Sequence, residues 1–143
     1  MDQLWQIILG VILAIFLHEL THLLTLKYYK IPFKAIVLTK WSAIGFLVDN
    51  ETYVADNKKL LILHFSPIVW CLMYFINSNE PFFLMFPVVN IFGGMGDFYN
   101  FFRLIIIPPE KRIAMANKSD EKILKKIIWR KDISLNNKLF NGR

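Results

Sequence analysis

Residues 18–22 read His-Glu-Leu-Thr-His, a set whose types and spacing suit metal chemistry. On a helix, positions i and i+4 share one face about 6 Å apart along the axis, so His18 and His22 can offer both imidazoles to one metal ion. Glu19 lies within reach of a water polarised by such a metal, the position of a general base in metal-assisted hydrolysis. The setting sharpens the pattern. The pentapeptide falls in a run from Leu4 to Leu26 with no other charged side chain. A charge at the centre of a membrane-length helix costs about 2.5–3.5 kcal/mol on insertion scales, and a bound metal would offset that cost. On a soluble helix the pattern could arise by chance; inside an apolar run that explanation is hard to sustain.

A hydrolytic zinc site takes three protein ligands and keeps one position open, and two histidines with one carboxylate form a known catalytic set. With Glu19 kept as base, Asp97 is the carboxylate left within the apolar segments. An Arg103 or backbone partner is the competing role for it. His64 and Asn90 are accessory candidates. His64 could be a third imidazole, an oxyanion stabiliser or a hydrogen-bonded histidine between helices. Asn90 could bind a substrate backbone, brace a ligand or make an interhelical polar contact.

These residues need elements to position them. The chain has 143 residues, of which 55% are hydrophobic, and a mean hydropathy of +0.41, which points to a membrane protein. Three segments have membrane length. Leu4–Leu26 would be about 35 Å long as a helix, against a hydrocarbon core of about 30 Å. It lacks the basic start and small-residue cleavage site of a signal peptide. The second segment runs from Leu60 to Ile76, with Pro67 expected to bend it. The third runs from Pro81 to Ile107, interrupted by Pro87 and by Gly93-Gly94-Met95-Gly96 and closed by Pro108-Pro109. The single cysteine, Cys71, rules out an intrachain disulfide and offers no cysteine cluster for a metal.

Charge sets an orientation. The segment from Lys27 to Lys59 and the tail from Lys111 onward are basic, whereas residues before Leu4 and the turn Asn77–Glu80 carry no positive side chain. The positive-inside bias then puts the N-terminus outside and the 27–59 loop and tail in the cytoplasm. A basic tail after membrane spans marks that side, so nucleic acid is not expected as a partner; the bilayer is. On this topology His18, His22, His64 and Asp97 all fall toward the cytoplasmic ends of their spans.

The loop Pro32–Asn50 is rich in β-branched and aromatic residues. It could form a hairpin turning near Lys40–Ser42, or rest on the bilayer as an interfacial loop. Ser119–Lys131 reads as an amphipathic helix, lying on the anionic cytoplasmic leaflet or binding a partner in solution: Ser119 caps it, and Ile123, Leu124, Ile127 and Ile128 form one stripe. Residues from Ser134 look unstructured. The expected fold is thus an all-α membrane protein of three transmembrane helices, with a β-hairpin as one option for the cytoplasmic loop and a C-terminal amphipathic helix. Residues 1–109 would form the membrane core and 110–143 a basic cytoplasmic tail.

HELTH at His18–His22 and NIFGGMGD at Asn90–Asp97 resemble the site-2 protease class of intramembrane zinc metalloproteases, and more closely the small putative zincin peptidases related to it. The resemblance covers residues 4–107. It implies a three-helix core with the site toward the cytoplasm, zinc held by His18, His22 and Asp97, Glu19 as catalytic base, and membrane-embedded or membrane-proximal peptides as substrates. Asn90 would correspond to the asparagine upstream of the aspartate. Better-known members carry Asn-x-x-Pro and Asp-Gly in the third helix; here Gly93 stands near the proline position and Phe98 follows Asp97. The alternative function is a non-catalytic metal-binding membrane adaptor. Paired repeats, the usual sign of a metal transporter, are absent.

Overall fold

The computed structural model describes residues 2–40 and 44–130. Helix α1 (Gln3–Tyr28) begins at Asp2, whose side chain accepts from the Leu4 N–H. It is apolar on nearly every side but buries one narrow stripe, Gly10, Ala14, His18 and His22, with Thr25 and Leu26 at its end. The four-residue steps keep that stripe on one face. Leu4, Trp5, Ile12 and Phe16 on the other faces are more than half exposed, as expected of side chains that meet lipid rather than protein.

The end of α1 is a Schellman turn. The Ile31 N–H bonds the Leu26 carbonyl and the Lys30 N–H bonds the Lys27 carbonyl, while buried Leu26 and Ile31 join one apolar cluster. Lys30 occupies the left-handed position at φ 53°, where glycine is favoured and a side chain costs roughly 1–2 kcal/mol.

Two further segments complete the bundle. Helix α2 (Asn57–Phe65), capped by the Asp56 carboxylate on Lys58 and Lys59, continues as a 3-10 segment, Ser66–Phe75, that starts around Pro67. Proline has no N–H for the α ladder, so the winding changes where expected. The third span is α3 (Pro81–Val88), a π-turn (Val89–Gly93) and α4 (Met95–Ile105). Its break coincides with the glycine run. By length and hydropathy, Gln3–Tyr28, Asn57–Phe75 and Pro81–Ile105 could each cross a membrane. Gly10 lets α1 approach α3: a Cβ there would lie 2.6 Å from the Phe82 carbonyl oxygen.

The loop after α1 forms a hairpin. Strand β1 (Phe33–Thr39) pairs antiparallel with β2 (Gly45–Val48); of the expected turn, residues 41–43 lie outside the described residues. The C-terminal reading needs correction. Ser119 does not cap a helix: α5 runs over Pro109–Ile123, with Pro109 in its first turn. Leu124–Arg130 is instead a strand, β3, antiparallel to the other side of β1, giving the order β2-β1-β3. Ile127, Ile128 and Trp129 suit a pleated surface as well as a helix stripe. The open edge of β1 decides between them by bonding the strand backbone. The protein is therefore mostly helical with a small three-stranded sheet, not all-α. Lys131 and the expected unstructured end from Ser134 lie outside the described residues.

The apolar core gathers at this sheet-bearing end, where Leu26, Val54, Leu60, Leu63, Phe101 and Leu104 meet Ala116 of α5. Arg112 locks the junction. It is 3% exposed and donates to the carbonyls of Val54, Ile105 and Ile107 and to Asn57 Oδ1. Nearby, Asn50 Nδ2 donates to Asn117 Oδ1 and Asp120 Oδ2, both at 2.8 Å. Burial raises the Asp120 carboxyl above its ordinary range, opposed by that amide and by the charges of Arg103 and Lys34. Arg112→Met strands several buried acceptors at once, so it should destabilise the detergent-solubilised protein by about 3 kcal/mol or more. An unfolding midpoint within error of wild type would show that Arg112 does not hold this junction.

Candidate metal centre

His18 and His22 lie on the buried stripe of α1, and Asp97 on the first turn of α4. Three atoms from these side chains form a nearly equilateral triangle. His18 Nε2 and His22 Nε2 are 3.2 Å apart, and each is 3.2 Å from Asp97 Oδ2.

What these atoms can do follows from the far side of each ring. His18 Nδ1–H donates to Asn90 Oδ1 at 3.0 Å. Asn90 is held in that orientation because its Nδ2 donates to the Phe86 carbonyl at 2.8 Å. His22 Nδ1–H donates to the Leu63 carbonyl at 2.8 Å. Each acceptor is an oxygen, so the ring proton sits on Nδ1 and the neutral imidazole points a lone pair from Nε2. Asp97 Oδ2 is an acceptor too. Three lone pairs then face one another across 3.2 Å in a partly buried site. That arrangement is repulsive unless a proton or a metal cation sits among them.

The donor set fits a metal. Tetrahedral zinc with bonds near 2.0–2.1 Å spaces its ligand atoms about 3.3 Å apart, and imidazole plus carboxylate is an ordinary zinc set. These three residues form a group that could hold a metal ion. Each histidine also has the outer hydrogen bond that orients a ligating ring.

Local backbone explains how one imidazole meets two groups seven residues apart. The π-turn and the break at Gly94 lie between Asn90 and Asp97, and the His18 ring rests against Gly94. A Cβ at Gly94 would stand 3.6 Å from His18 Cε1 and only 2.5 Å from the Asn90 carbonyl oxygen. Any side chain there would disturb the turn that carries both partners of His18. π-Turns inside helices are frequent at functional sites.

Glu19 sits beside the triangle, partly buried, with no hydrogen bond or ion pair among the described residues. The α1 face is further fixed by Thr21 Oγ1, which accepts from Trp70 Nε1 at 2.7 Å, and by Thr25 against Ser66 at 3.1 Å. His64 is buried but stands outside the triangle. Its Nδ1–H donates to the Leu60 carbonyl, and its ring lies 6.4 Å from those of Tyr53 and Phe101. It lines a cavity of about 50 Å³ with Asn50, Tyr53, Asn100, Arg103 and Asp120. Burial also raises the Tyr53 hydroxyl in that cavity. Asp97 is not paired with Arg103, whose guanidinium lies 5.9 Å over the Tyr99 ring. The residue types alone give no signal for the Leu63 carbonyl or the Gly94 floor, because both act through the backbone.

Comparison with known proteins bears on this geometry. A family model described as "putative zincin peptidase" matches residues 11–111. The chain belongs to that family. The matched span takes in all three residues of the triangle, together with Glu19, His64 and Asn90. No match was found among curated proteins or among solved structures. For a zincin peptidase family member, a bound zinc is the natural occupant of the lone-pair triangle.

Two measurements of bound metal check this. His18→Ala and Asp97→Ala should each abolish stoichiometric zinc in the purified protein. Asn90→Ala should weaken zinc by about 10–100-fold, the usual effect of removing the partner of a ligating histidine. Zinc content indifferent to all three substitutions would remove the site.

Proposed function

We propose that this chain is an intramembrane zinc endopeptidase, similar to the site-2 protease class, which hydrolyses peptide bonds of membrane-embedded or membrane-proximal substrates. The observation that carries the reading is the acceptor triangle of His18, His22 and Asp97 held among helices of membrane length. When bound there, zinc would polarise the scissile carbonyl and lower the pKa of the attacking water.

The chain's own residues do the rest. His18, His22 and Asp97 hold the metal, with Asn90 and the Leu63 carbonyl keeping both rings in the ligating tautomer. Glu19 takes the proton of the attacking water on its carboxylate and later delivers it to the leaving amine nitrogen. Its carboxylate has no protein partner to displace first. A substrate helix would have to unwind to bring its backbone to the site, and could then add to a sheet edge. Because β1 is flanked on both sides, the edge on offer would be that of β2 or β3.

The triangle supplies three ligands and His64 is engaged elsewhere. An open fourth position favours catalysis over the closed, structural site that a non-catalytic adaptor would use. In the proposed topology the N-terminus is outside and the 27–59 loop and C-terminal region are cytoplasmic. Residues 1–109 form the membrane core and 110–143 a basic cytoplasmic tail whose α5 and β3 pack back onto that core, with the catalytic end of the bundle on the cytoplasmic side.

Glu19→Gln should retain zinc yet lower cleavage of transmembrane-helix peptides in proteoliposomes by about 10²–10⁴-fold. Proteolysis at the wild-type rate in that variant would sink the mechanism. Orientation is tested separately in a Cys71→Ser background. Asn79→Cys should react with an impermeant maleimide from outside only, and Lys118→Cys from the cytoplasmic side only. The reverse labelling would invert the topology without touching the chemistry.

A further inference from the structure

The last turn of α1 and the residues after it enclose a second concavity, of about 450 Å³, lined by Leu23, Leu26, Ile31, Pro32 and Phe33 together with Lys27 and Lys30. Its walls are apolar and its two polar groups are cations. Lys27 and Lys30 are both exposed, and neither is in an ion pair among the described residues, although Lys34 close by is paired with Asp49 at 3.7 Å. Lys30 also holds the left-handed position of the Schellman turn, where glycine would fit without strain. A strained position occupied by a cation points to a use for that side chain beyond the turn.

We propose that this groove binds an anionic phospholipid, with an acyl chain along Leu23, Leu26, Ile31 and Phe33 and the phosphate between Lys27 and Lys30. Depth supports the assignment. Lys27 follows directly on the apolar run of the first span, so its ammonium lies at the level of headgroups while Leu23, one turn earlier, lies at the level of chains. Charge selects the occupant. A second copy packed symmetrically here would set Lys27 and Lys30 against their own counterparts, in a chain of net charge +6. A zwitterionic lipid would fill the groove but leave both cations without net compensation. The inference rests on membrane embedding and is independent of proteolysis.

The test uses full-length protein in nanodiscs containing phosphatidylcholine and phosphatidylglycerol in equal amounts, released for native mass spectrometry. The wild type should retain phosphatidylglycerol in preference to phosphatidylcholine. Lys27→Gln/Lys30→Gln should reduce that preference by on the order of tenfold or more, given about fivefold for each basic residue at an anionic surface. Lys58→Gln/Lys59→Gln, which removes two cations away from the groove, should leave it intact. Unchanged zinc content and unfolding midpoint in both variants would confirm intact folding. Three results overturn the proposal: no preference in the wild type, equal losses in the two lysine pairs, or displacement of the lipid by inorganic phosphate alone. The same measurement on Glu19→Gln protein keeps the outcome separate from the fate of the protease reading.

Discussion

Three acceptor atoms brought within 3.2 Å of one another in a partly buried setting set the central constraint on this molecule. Two neutral imidazole nitrogens and a carboxylate oxygen at that distance call for a proton or a metal cation between them. The desolvation that removes water from them also strengthens their repulsion. A divalent cation held by all three atoms would outweigh that repulsion. The surrounding architecture is consistent with keeping those atoms in place: a narrow α1 stripe set between the other two spans, a third span broken so that Asn90 and Asp97 bracket one ring, and a carbonyl of α2 on the other. A metal bound here would couple its binding to helix assembly, because α1, α2 and the third span each contribute a group to the histidine pair.

The placement of apolar burial serves the same end. Away from the sheet-bearing end α1 buries only the small Gly10 and Ala14 and exposes large side chains, with Gly10 against Phe82 and Phe86 buried on the third span. Such contacts gain little from the hydrophobic effect in a lipid setting. The sheet-bearing end differs. There Val54 and Leu60 are fully buried, and Arg112 ties the carbonyls at the end of α4 to the start of α2. A well-packed end next to the triangle keeps His22, through Leu63, and Asp97, through α4, in a fixed relation.

How far the sequence reveals this depends on which physical signal each feature leaves. Histidines, a glutamate and an aspartate in apolar runs stand out because their burial is costly, so His18, Glu19, His22 and Asp97 are legible from composition and spacing. The hairpin is only half legible, because its β-branched residues suit an interfacial loop as well, and its register leaves no local signal. Three features are hidden. Leu63 acts through a carbonyl that every residue possesses. Arg112 looks like one more charge in a basic segment, yet it is buried on neutral oxygens. Leu124–Arg130 carries a pattern compatible with both helix and strand, and only the free edge of β1, a long-range fact, decides it.

That last point alters what the basic C-terminal segment does. As an amphipathic helix it would have been an appendage lying on the membrane. As α5 and β3 it is stitched to the 27–59 loop by β1, by the Asn50 amide and by Arg112. The loop joins the span bearing both histidines to the span bearing the Leu63 carbonyl, and α5 continues from the span bearing Asp97. The sheet therefore closes the connections of all three spans on one side of the bundle. Its pairing constrains the same helix ends whose spacing determines whether three acceptor atoms meet.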